Sequence, residues 1–406
     1  MDVKKWMSRL GVLGITVGLG ATMCLAQVNQ HTDPLNVDPE VRQGYERFYN
    51  LDFDAALRHW DNVAHQHPND PMAWDYLLVG TIFRELYRQD LLDTTYYAHD
   101  SFLMNKRQVS VSDDARKQIE ALTDKAIALS NDRLKTDEKD KNALFARSYA
   151  KGMHAAFVVL VDHAYASGAR QGYSSRNDAE DVLKIDPKYS DAEMAIGIQQ
   201  FAVASLPRFV RLMVGIVGVG GNKERGLALL KDSAAHGVVT SVESRVALSL
   251  FLRHDSRYPE ALQVERSLSE QYPHDFLFRL EVANILKDEG QGMQAIQEYH
   301  KVLDDAAKPG YFIEARLQLA YFGLAETQHG YNDIQGAAQN YLLAAEQHNC
   351  SDWLRKRAQL NAGEMFDLLH DRSQAVRLYQ MAAADSGDQS QADAARKYLR
   401  SPYKGK

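Results

Sequence analysis

The chain has 406 residues, of which 45% are hydrophobic and 25% charged, so it is long and apolar enough for a large core and is unlike collagen-like or disordered proteins. Its 47 basic and 54 acidic residues are mixed along the sequence and give a formal charge of −7, so we expect no nucleic-acid partner. Two cysteines, Cys24 and Cys350, exclude a disulfide framework and a zinc site.

The first 26 residues have the pattern of a secretory signal peptide. Basic residues up to Arg9 precede an uncharged run over residues 10–25, and the small side chains of Cys24 and Ala26 fit the positions before a cleavage site. The run is shorter than the roughly 20 residues of a spanning helix. A lipoprotein anchor on Cys24 is the alternative, but Met23 stands where that motif has a small residue. The sequence therefore favours Sec-type export to the periplasm or the exterior.

Helical periodicity dominates the remainder of the chain. Apolar and alanine residues recur three and four positions apart, and short Asp, Asn, Gly and Pro breaks separate the runs. The pattern predicts an all-α protein of paired antiparallel helices. The predicted helices cover residues 39–50, 53–67, 71–89, 112–134, 138–166, 174–185, 189–205, 222–236, 239–253, 257–271, 275–289, 292–306, 312–329, 332–348, 351–369, 372–386 and 388–400.

A fixed order of small and aromatic residues repeats in the C-terminal half. One unit carries Gly363, Phe366, Ala375, Tyr379 and Ala382, and earlier units place Ala325, Ala337, Tyr341 and Ala344, and Ala283, Ala295, Tyr299 and Val302, at equivalent positions. The pattern resembles the tetratricopeptide repeat, most closely from residue 239 onward. The resemblance implies a right-handed α-solenoid of antiparallel helix pairs, here in an exported protein of bacterial type.

This frame divides the chain into segments. They are a signal peptide (1–26), a linker (27–38), an N-terminal helical array (39–205) with an inserted loop (90–111), a glycine-rich apolar crossover and helix (206–236), a C-terminal array (237–400) and a basic tail (401–406).

Two segments depart from the repeat pattern. The polar and aromatic loop 90–111 is longer than a repeat turn requires, and we expect it to pack over a groove. The apolar segment 207–221 is too short to span a bilayer. We expect it to be a buried crossover, and the alternative is a membrane-surface contact that would serve envelope biogenesis.

Catalytic motifs are not evident in the sequence. The histidines are scattered, and His154 and His163 stand nine apart in one apolar run, where we expect structural roles. We therefore predict no catalytic residue, metal or cofactor. An enzyme with a site near the loop 90–111 or near these histidines is the less favoured alternative, and the oligomeric state is left open.

A solenoid of helix pairs lines its concave surface with the first helix of each pair, so the resemblance implies a binding groove. The sequence therefore predicts a non-enzymatic scaffold that binds a protein or peptide segment. Its predicted groove residues are Arg253, Asn284, Lys287, Phe322, Glu326, His329, Arg357, Leu360 and Glu364.

Overall fold

The computed structural model describes residues 30–98, 109–206, 220–384 and 388–405. The regular structure in these ranges is helical, with seventeen α-helices and no strand, which confirms the predicted all-α class. The helices are α1 (Pro39–Phe48), α2 (Phe53–Gln66), α3 (Pro71–Arg88), α4 (Asp113–Thr136), α5 (Lys141–Leu160), α6 (Tyr165–Ile185), α7 (Glu193–Ser205), α8 (Lys223–His236), α9 (Ser241–His254), α10 (Tyr258–Gln271), α11 (Phe276–Asp288), α12 (Gly292–Ala306), α13 (Leu317–Gly330), α14 (Ile334–Glu346), α15 (Asp352–Leu368), α16 (Arg372–Ala383) and α17 (Gln389–Arg400).

Aspartates define where many of these helices begin. The carboxylate of Asp38, for example, accepts the N–H of Glu40 at the start of α1, and Asp275 accepts the N–H groups of Leu277 and Phe278 at the start of α11. Such caps satisfy donors that have no partner within the helix. This local chemistry explains why most predicted helix starts agree with the structure within about three residues.

Small residues let the two helices of a pair approach closely. A Cβ atom added to Gly44 in α1 would lie 2.1 Å from the Trp60 ring in α2, and one added to Gly363 in α15 would lie 2.6 Å from the Tyr379 ring in α16. Both rings are completely buried. Successive helices pack on each other along the chain, as an α-solenoid requires.

A close contact between two successive helix pairs gives a test of this packing. A Cβ on Gly323 in α13 would lie 2.5 Å from the Tyr299 hydroxyl in α12, which donates a hydrogen bond to Asn284. We expect Gly323→Ala to lower the free energy of unfolding by about 1 to 3 kcal/mol, because Tyr299 must move. Urea denaturation measures this change. The control is Gly330→Ala at the end of the same helix, where an added Cβ meets nothing within 4 Å; equal losses in both variants would contradict the prediction.

The break between the predicted helices 138–166 and 174–185 comes earlier in the structure, at residues 161–164. Helix α5 ends at Leu160, His163 has a φ of 53°, and the N–H of Ala164 donates to the carbonyl of Val158 at 3.0 Å. This is the geometry of a helix C-cap with a left-handed residue. Helix α6 then begins at Tyr165, nine residues before the predicted start at 174, so periodicity alone did not reveal the turn.

The N-terminal segment that was predicted as a linker (27–38) is packed from His31 onward. His31 pairs with Asp186 at 2.9 Å, and the Thr32 hydroxyl donates to Asp191 at 3.2 Å. Asp191 also accepts the N–H groups of residues 238, 239 and 240. Residues 31–38 therefore help to hold the end of α6 and the start of α9 in place.

Helix α1 also contacts the C-terminal array. The Tyr49 hydroxyl donates to both Glu243 carboxylate oxygens at 2.9 Å, and its ring lies 5.1 Å from the Tyr272 ring. Arg42 donates to the carbonyl of Val238 at 3.0 Å. Helix α1 and the residue that follows it thus pack against the first helix pair of the C-terminal array and the segment before it.

Candidate functional site: the face of the C-terminal array

The predicted groove residues lie on the first helices of four successive pairs, α9, α11, α13 and α15. Contacts from one helix to the next show that they share a face. Arg253 of α9 pairs with Glu281 of α11 at 2.6 Å, and Lys287 of α11 pairs with Glu326 of α13 at 2.7 Å. Arg357 of α15 lies 4.0 Å from the other Glu326 oxygen.

Part of this face is covered by the chain itself. Residues 88–98, which we call the strap, leave the end of α3 and cross the C-terminal array. At one end, the Asp90 carboxylate accepts from Arg316 at 2.6 Å, from the Gln318 amide at 2.8 Å and from the Ser351 N–H at 3.2 Å. Asp90 is buried and has a φ of 56°. The strap is therefore anchored on the first turns of α13 and α15.

The middle of the strap binds to Arg253. The guanidinium donates to the Thr94 hydroxyl at 3.0 Å and to the Thr95 hydroxyl at 3.1 Å, and it also pairs with Glu281 and with Asp288 at 2.7 Å. The Arg253 side chain is completely buried. Burial by itself lowers the pKa of Arg253, but the charges of Glu281 and Asp288 outweigh it and raise that pKa. The cation is thus held by two helices and by the strap.

A second polar residue of the face continues this network. The Asn284 amide donates to Asp93 of the strap at 3.3 Å and to Glu281 at 3.1 Å, and its oxygen accepts the Tyr299 hydroxyl at 2.7 Å. Burial and the neighbouring Glu281 charge raise the pKa of Asp93. Burial and the negative charge of Glu281 therefore disfavour the ionised form of Asp93.

An aromatic contact fixes the other end of the strap. The Tyr96 ring meets the Trp353 ring of α15 edge-on, at 5.8 Å between centroids. The Trp353 indole N–H donates to Asp388 at 3.0 Å, and the Arg357 guanidinium lies 5.2 Å from the Trp353 ring. Trp353 therefore joins the strap to the neighbouring part of the face.

These contacts revise the predicted site. Arg253 and Asn284 were expected to meet a partner, but in this structure both are bonded to the strap because the end of α3 lies against this face. The loop was expected to pack over a groove, and its residues 90–98 do so; residues 99–108 lie outside the described ranges. Sequence reasoning missed Glu281 and Asp288. They lie three residues before and four residues after Asn284 on α11, and this helical spacing could have placed them on the same face.

The remaining predicted residues form what we call the open stretch: Lys287, Phe322, Glu326, His329, Arg357, Leu360 and Glu364. The Arg357 side chain is 39% exposed, Glu326 is 30% exposed and Lys287 is 16% exposed. Phe322 and Leu360 are buried, and His329 and Glu364 are half-buried. The open stretch thus has an apolar floor with a charged row above it.

The electrostatics of this row are balanced. Burial raises the pKa of Glu326, but Lys287 and Arg357 outweigh it and hold that pKa below its ordinary value. Burial lowers the pKa of Lys287, and Glu326 reverses the shift and raises it. The Arg357 guanidinium also lies 5.6 Å from the Phe322 ring. Arg357 is therefore the most exposed cation of the row, on a surface made by two aromatic rings.

The C-terminal tail borders the open stretch on its other side. The N–H of Tyr403 donates to Asp367 of α15 at 2.8 Å, and Asp367 also accepts the Tyr379 hydroxyl at 2.9 Å. Arg372 pairs with Asp367 at 3.0 Å and donates to the carbonyls of residues 398 and 399. The described part of the predicted basic tail, residues 401–405, therefore packs onto the end of α15.

The other candidate sites have structural explanations or lie outside the described ranges. His154 bonds to Glu120 at 2.9 Å and to Gln171 at 2.7 Å, while His163 lies in the turn after α5. Within the described ranges, no group of three or more His, Cys, Asp or Glu side chains is placed to hold a metal ion. Likewise, no helix described here has the length and apolar character needed to cross a membrane. Residues 207–219 of the apolar segment, and residues 1–29 with the predicted signal, are not described.

No family model matches the chain, and no curated protein matches it. Among solved structures, yeast Tom70 is 10% identical, with 89% of this chain and 94% of that chain covered and a TM-score of 0.43. Human IFIT1, solved as a dimer with m7Gppp-AAAA, is 11% identical over 89% of this chain and 82% of its own, with a TM-score of 0.44. A tetratricopeptide repeat protein from Parabacteroides merdae is 13% identical over 79% and 97% of the two chains, with a TM-score of 0.34.

These likenesses are too distant to assign a function. The fold class follows from the helix pairs of the chain itself, in which glycine meets a buried aromatic ring at the repeat positions. The fold is a tetratricopeptide-type α-solenoid.

Proposed function

We propose that the protein is an exported, non-enzymatic scaffold that binds a peptide or protein segment of a partner along the open stretch. The observation that carries this proposal is the strap itself. This face already holds a polypeptide segment, which includes a 3-10 turn at Thr94–Tyr96, through side-chain hydrogen bonds, an ion pair and an aromatic contact. Recognition of a peptide by a solenoid face uses the same interactions.

The open stretch continues this chemistry beyond the strap. Arg357 offers a half-exposed cation above Phe322, and Glu326 offers a carboxylate beside it. Apolar anchors with a few oriented charges are typical of surfaces that bind protein segments. We place the partner in the cell envelope because the first 26 residues have the pattern of an export signal.

Reversing the charge of Arg357 tests the proposal. We expect Arg357→Glu to reduce capture of the partner at least tenfold, because it removes the exposed cation and places a second carboxylate beside Glu326. Lys287 is less suitable, since its buried pairing with Glu326 also holds α11 against α13. The measurement is affinity capture on immobilised residues 27–406, quantified by mass spectrometry from envelope and cytosolic extracts.

The matched control is Arg377→Glu, an exposed arginine on the second helix of the last repeat pair. Partners that both variants lose equally are bound through net charge and do not count. If every protein captured from the envelope extract stays on Arg357→Glu as on the unmodified chain, the open stretch is not the binding surface. If the Arg357-dependent proteins come only from the cytosolic extract, the open stretch binds a partner but the envelope role is contradicted.

A further inference from the structure

We propose that the strap is a built-in ligand of this face, and that a partner segment with the same chemistry displaces it. That chemistry is a carboxylate, followed three residues later by an Asp or Asn, two hydroxyl side chains and an aromatic ring. The inference rests on the proposed function and specifies the kind of segment that the scaffold accepts.

The site that holds the strap is built of buried polar groups. Arg253, Glu281, Asn284 and Asp288 belong to two helices of the solenoid, and each has hydrogen bonds or ion pairs there. The Arg253 guanidinium also reaches both threonine hydroxyls of the strap. A solenoid does not need a buried arginine aimed at hydroxyl groups for its packing, because its helix pairs are held by apolar and small residues. The arrangement is that of a recognition site.

The strap itself is exposed on its outer side. Residues 92–97 are all half-buried, whereas Arg253, Glu281 and Asn284, which receive Thr94, Thr95 and Asp93, are buried. The Thr94 hydroxyl accepts from Arg253 and donates to Glu281, the Thr95 hydroxyl accepts from Arg253, and the Tyr96 ring makes an edge contact with Trp353. Each of these contacts is worth about 1 kcal/mol. Contacts of this strength let residues 94–96 leave the face while the helices beneath them stay folded.

Charge makes the strap a suboptimal ligand. The buried cation Arg253 faces the carboxylates of Glu281 and Asp288 from α11, and Asp93 of the strap adds a third. Glu265 of α10 is also buried nearby. Burial raises the pKa of its carboxyl most, and the Glu281 charge raises it further. A competing segment that carries Asn at the position of Asp93 would keep the hydrogen-bonding shape and avoid this repulsion.

The test uses the strap sequence as a free peptide. The probe is a fluorescein-labelled peptide of residues 88–98, Arg-Gln-Asp-Leu-Leu-Asp-Thr-Thr-Tyr-Tyr-Ala. Its matched control has valines at the two threonines and alanine at the first tyrosine, so its length and charge are unchanged. Because the tethered strap competes at an effective concentration on the order of 1 mM, the full chain is also prepared with Thr94→Val, Thr95→Val and Tyr96→Ala to weaken its own strap.

Fluorescence anisotropy measures the binding of both peptides. We expect the probe to bind the weakened-strap chain at least tenfold more tightly than the unmodified chain, and the control peptide to bind it at least tenfold more weakly than the probe. A probe with Asn at the position of Asp93 should bind severalfold more tightly still at pH 7.5. Thr95→Val alone, which removes one hydrogen bond, serves if the triple variant does not fold, and we expect a smaller gain in the same direction.

Absence of probe binding to a folded weakened-strap chain would overturn the inference, as would equal binding of probe and control peptide. Exchange of straps between two copies is a further outcome. It would give a dimer of the unmodified chain on sedimentation, and it would also overturn the inference, because the ligand would then be this chain itself. A failed peptide test with intact Arg357-dependent capture removes the inference and leaves the proposed function in place.

Discussion

Arg253→Met should lower the free energy of unfolding by about 3 to 5 kcal/mol. The Arg253 side chain is completely buried, and it is the cation that Glu281 and Asp288 face at 2.6 and 2.7 Å. Methionine fills a similar volume but leaves these carboxylates without their charge partner in a site that excludes water. Breaking one half of a buried ion pair is among the most destabilising single changes because the other half keeps its desolvation cost.

The measurement is urea denaturation followed by circular dichroism. The matched control is Arg257→Met, four residues later, where the arginine is partly exposed and pairs with Glu260 at 2.7 Å on the surface. Surface pairs contribute about 0 to 1 kcal/mol, so the control should lose little. Hydrogen exchange should also become faster at Thr94 and Thr95 in Arg253→Met. Equal losses of stability in the two variants would show that the buried network contributes no more than a surface pair.

We expect Asp275→Asn to stabilise the protein at pH 8. The free energy of unfolding of the variant, minus that of the unmodified chain, should be about 2 to 3 kcal/mol larger at pH 8 than at pH 5. Asp275 caps α11, which carries Asn284 and Lys287, and its carboxyl is 3% exposed. Burial raises the pKa of Asp275 from 3.8 to about 7, although the N–H groups of Leu277 and Phe278 act in the opposite direction.

The sign follows from this raised pKa. The folded protein holds the Asp275 proton more tightly than the unfolded chain does, so its contribution to stability is fully present below about pH 3.8. It is lost as the pH rises through about 7. Asparagine is an equally good helix cap and does not ionise, so it removes this loss while keeping both hydrogen bonds.

Urea denaturation at several pH values between 5 and 8 checks this prediction. The control is Asp371→Asn at the start of α16, where the hydrogen bond from Gln374 lowers the pKa of Asp371. A lowered pKa gives the opposite sign, since that contribution to stability is lost as the pH falls. If Asp275→Asn and the unmodified chain lose stability in parallel from pH 5 to pH 8, the Asp275 carboxyl does not titrate as its burial requires.

The first prediction concerns the polar network under the strap, and the second concerns the cap of α11, the helix that carries Glu281, Asn284 and Asp288 of that network. The groove is best understood as two adjoining parts, a closed part in which Arg253 and Asn284 bind the strap, and the open stretch around Arg357. A partner that bound both parts would have to displace the strap. The affinity of the scaffold would then depend on how firmly residues 93–96 are held.

The sequence by itself determined the helices and their pairing. The spacing of apolar residues, the aspartate caps and the alternation of glycine with aromatic residues act over fewer than about 40 residues, so they can be interpreted without a fold. Gly44 against Trp60 and Gly363 against Tyr379 are contacts of this kind. The candidate face could be located for the same reason, because the positions that point inward repeat with the helix pairs.

Only the tertiary structure decided what lies on that face. Thr94 and Thr95 reach Arg253 across 159 and 158 residues, and Asp90 reaches Arg316 across 226. The loop sequence showed hydroxyl, carboxylate and aromatic groups but not their destination. Where the loop packs depends on the angles between successive helix pairs, which together bring the end of α3 against α9, α11, α13 and α15. A small angle between neighbouring pairs accumulates over the whole solenoid, and no local pattern records the total.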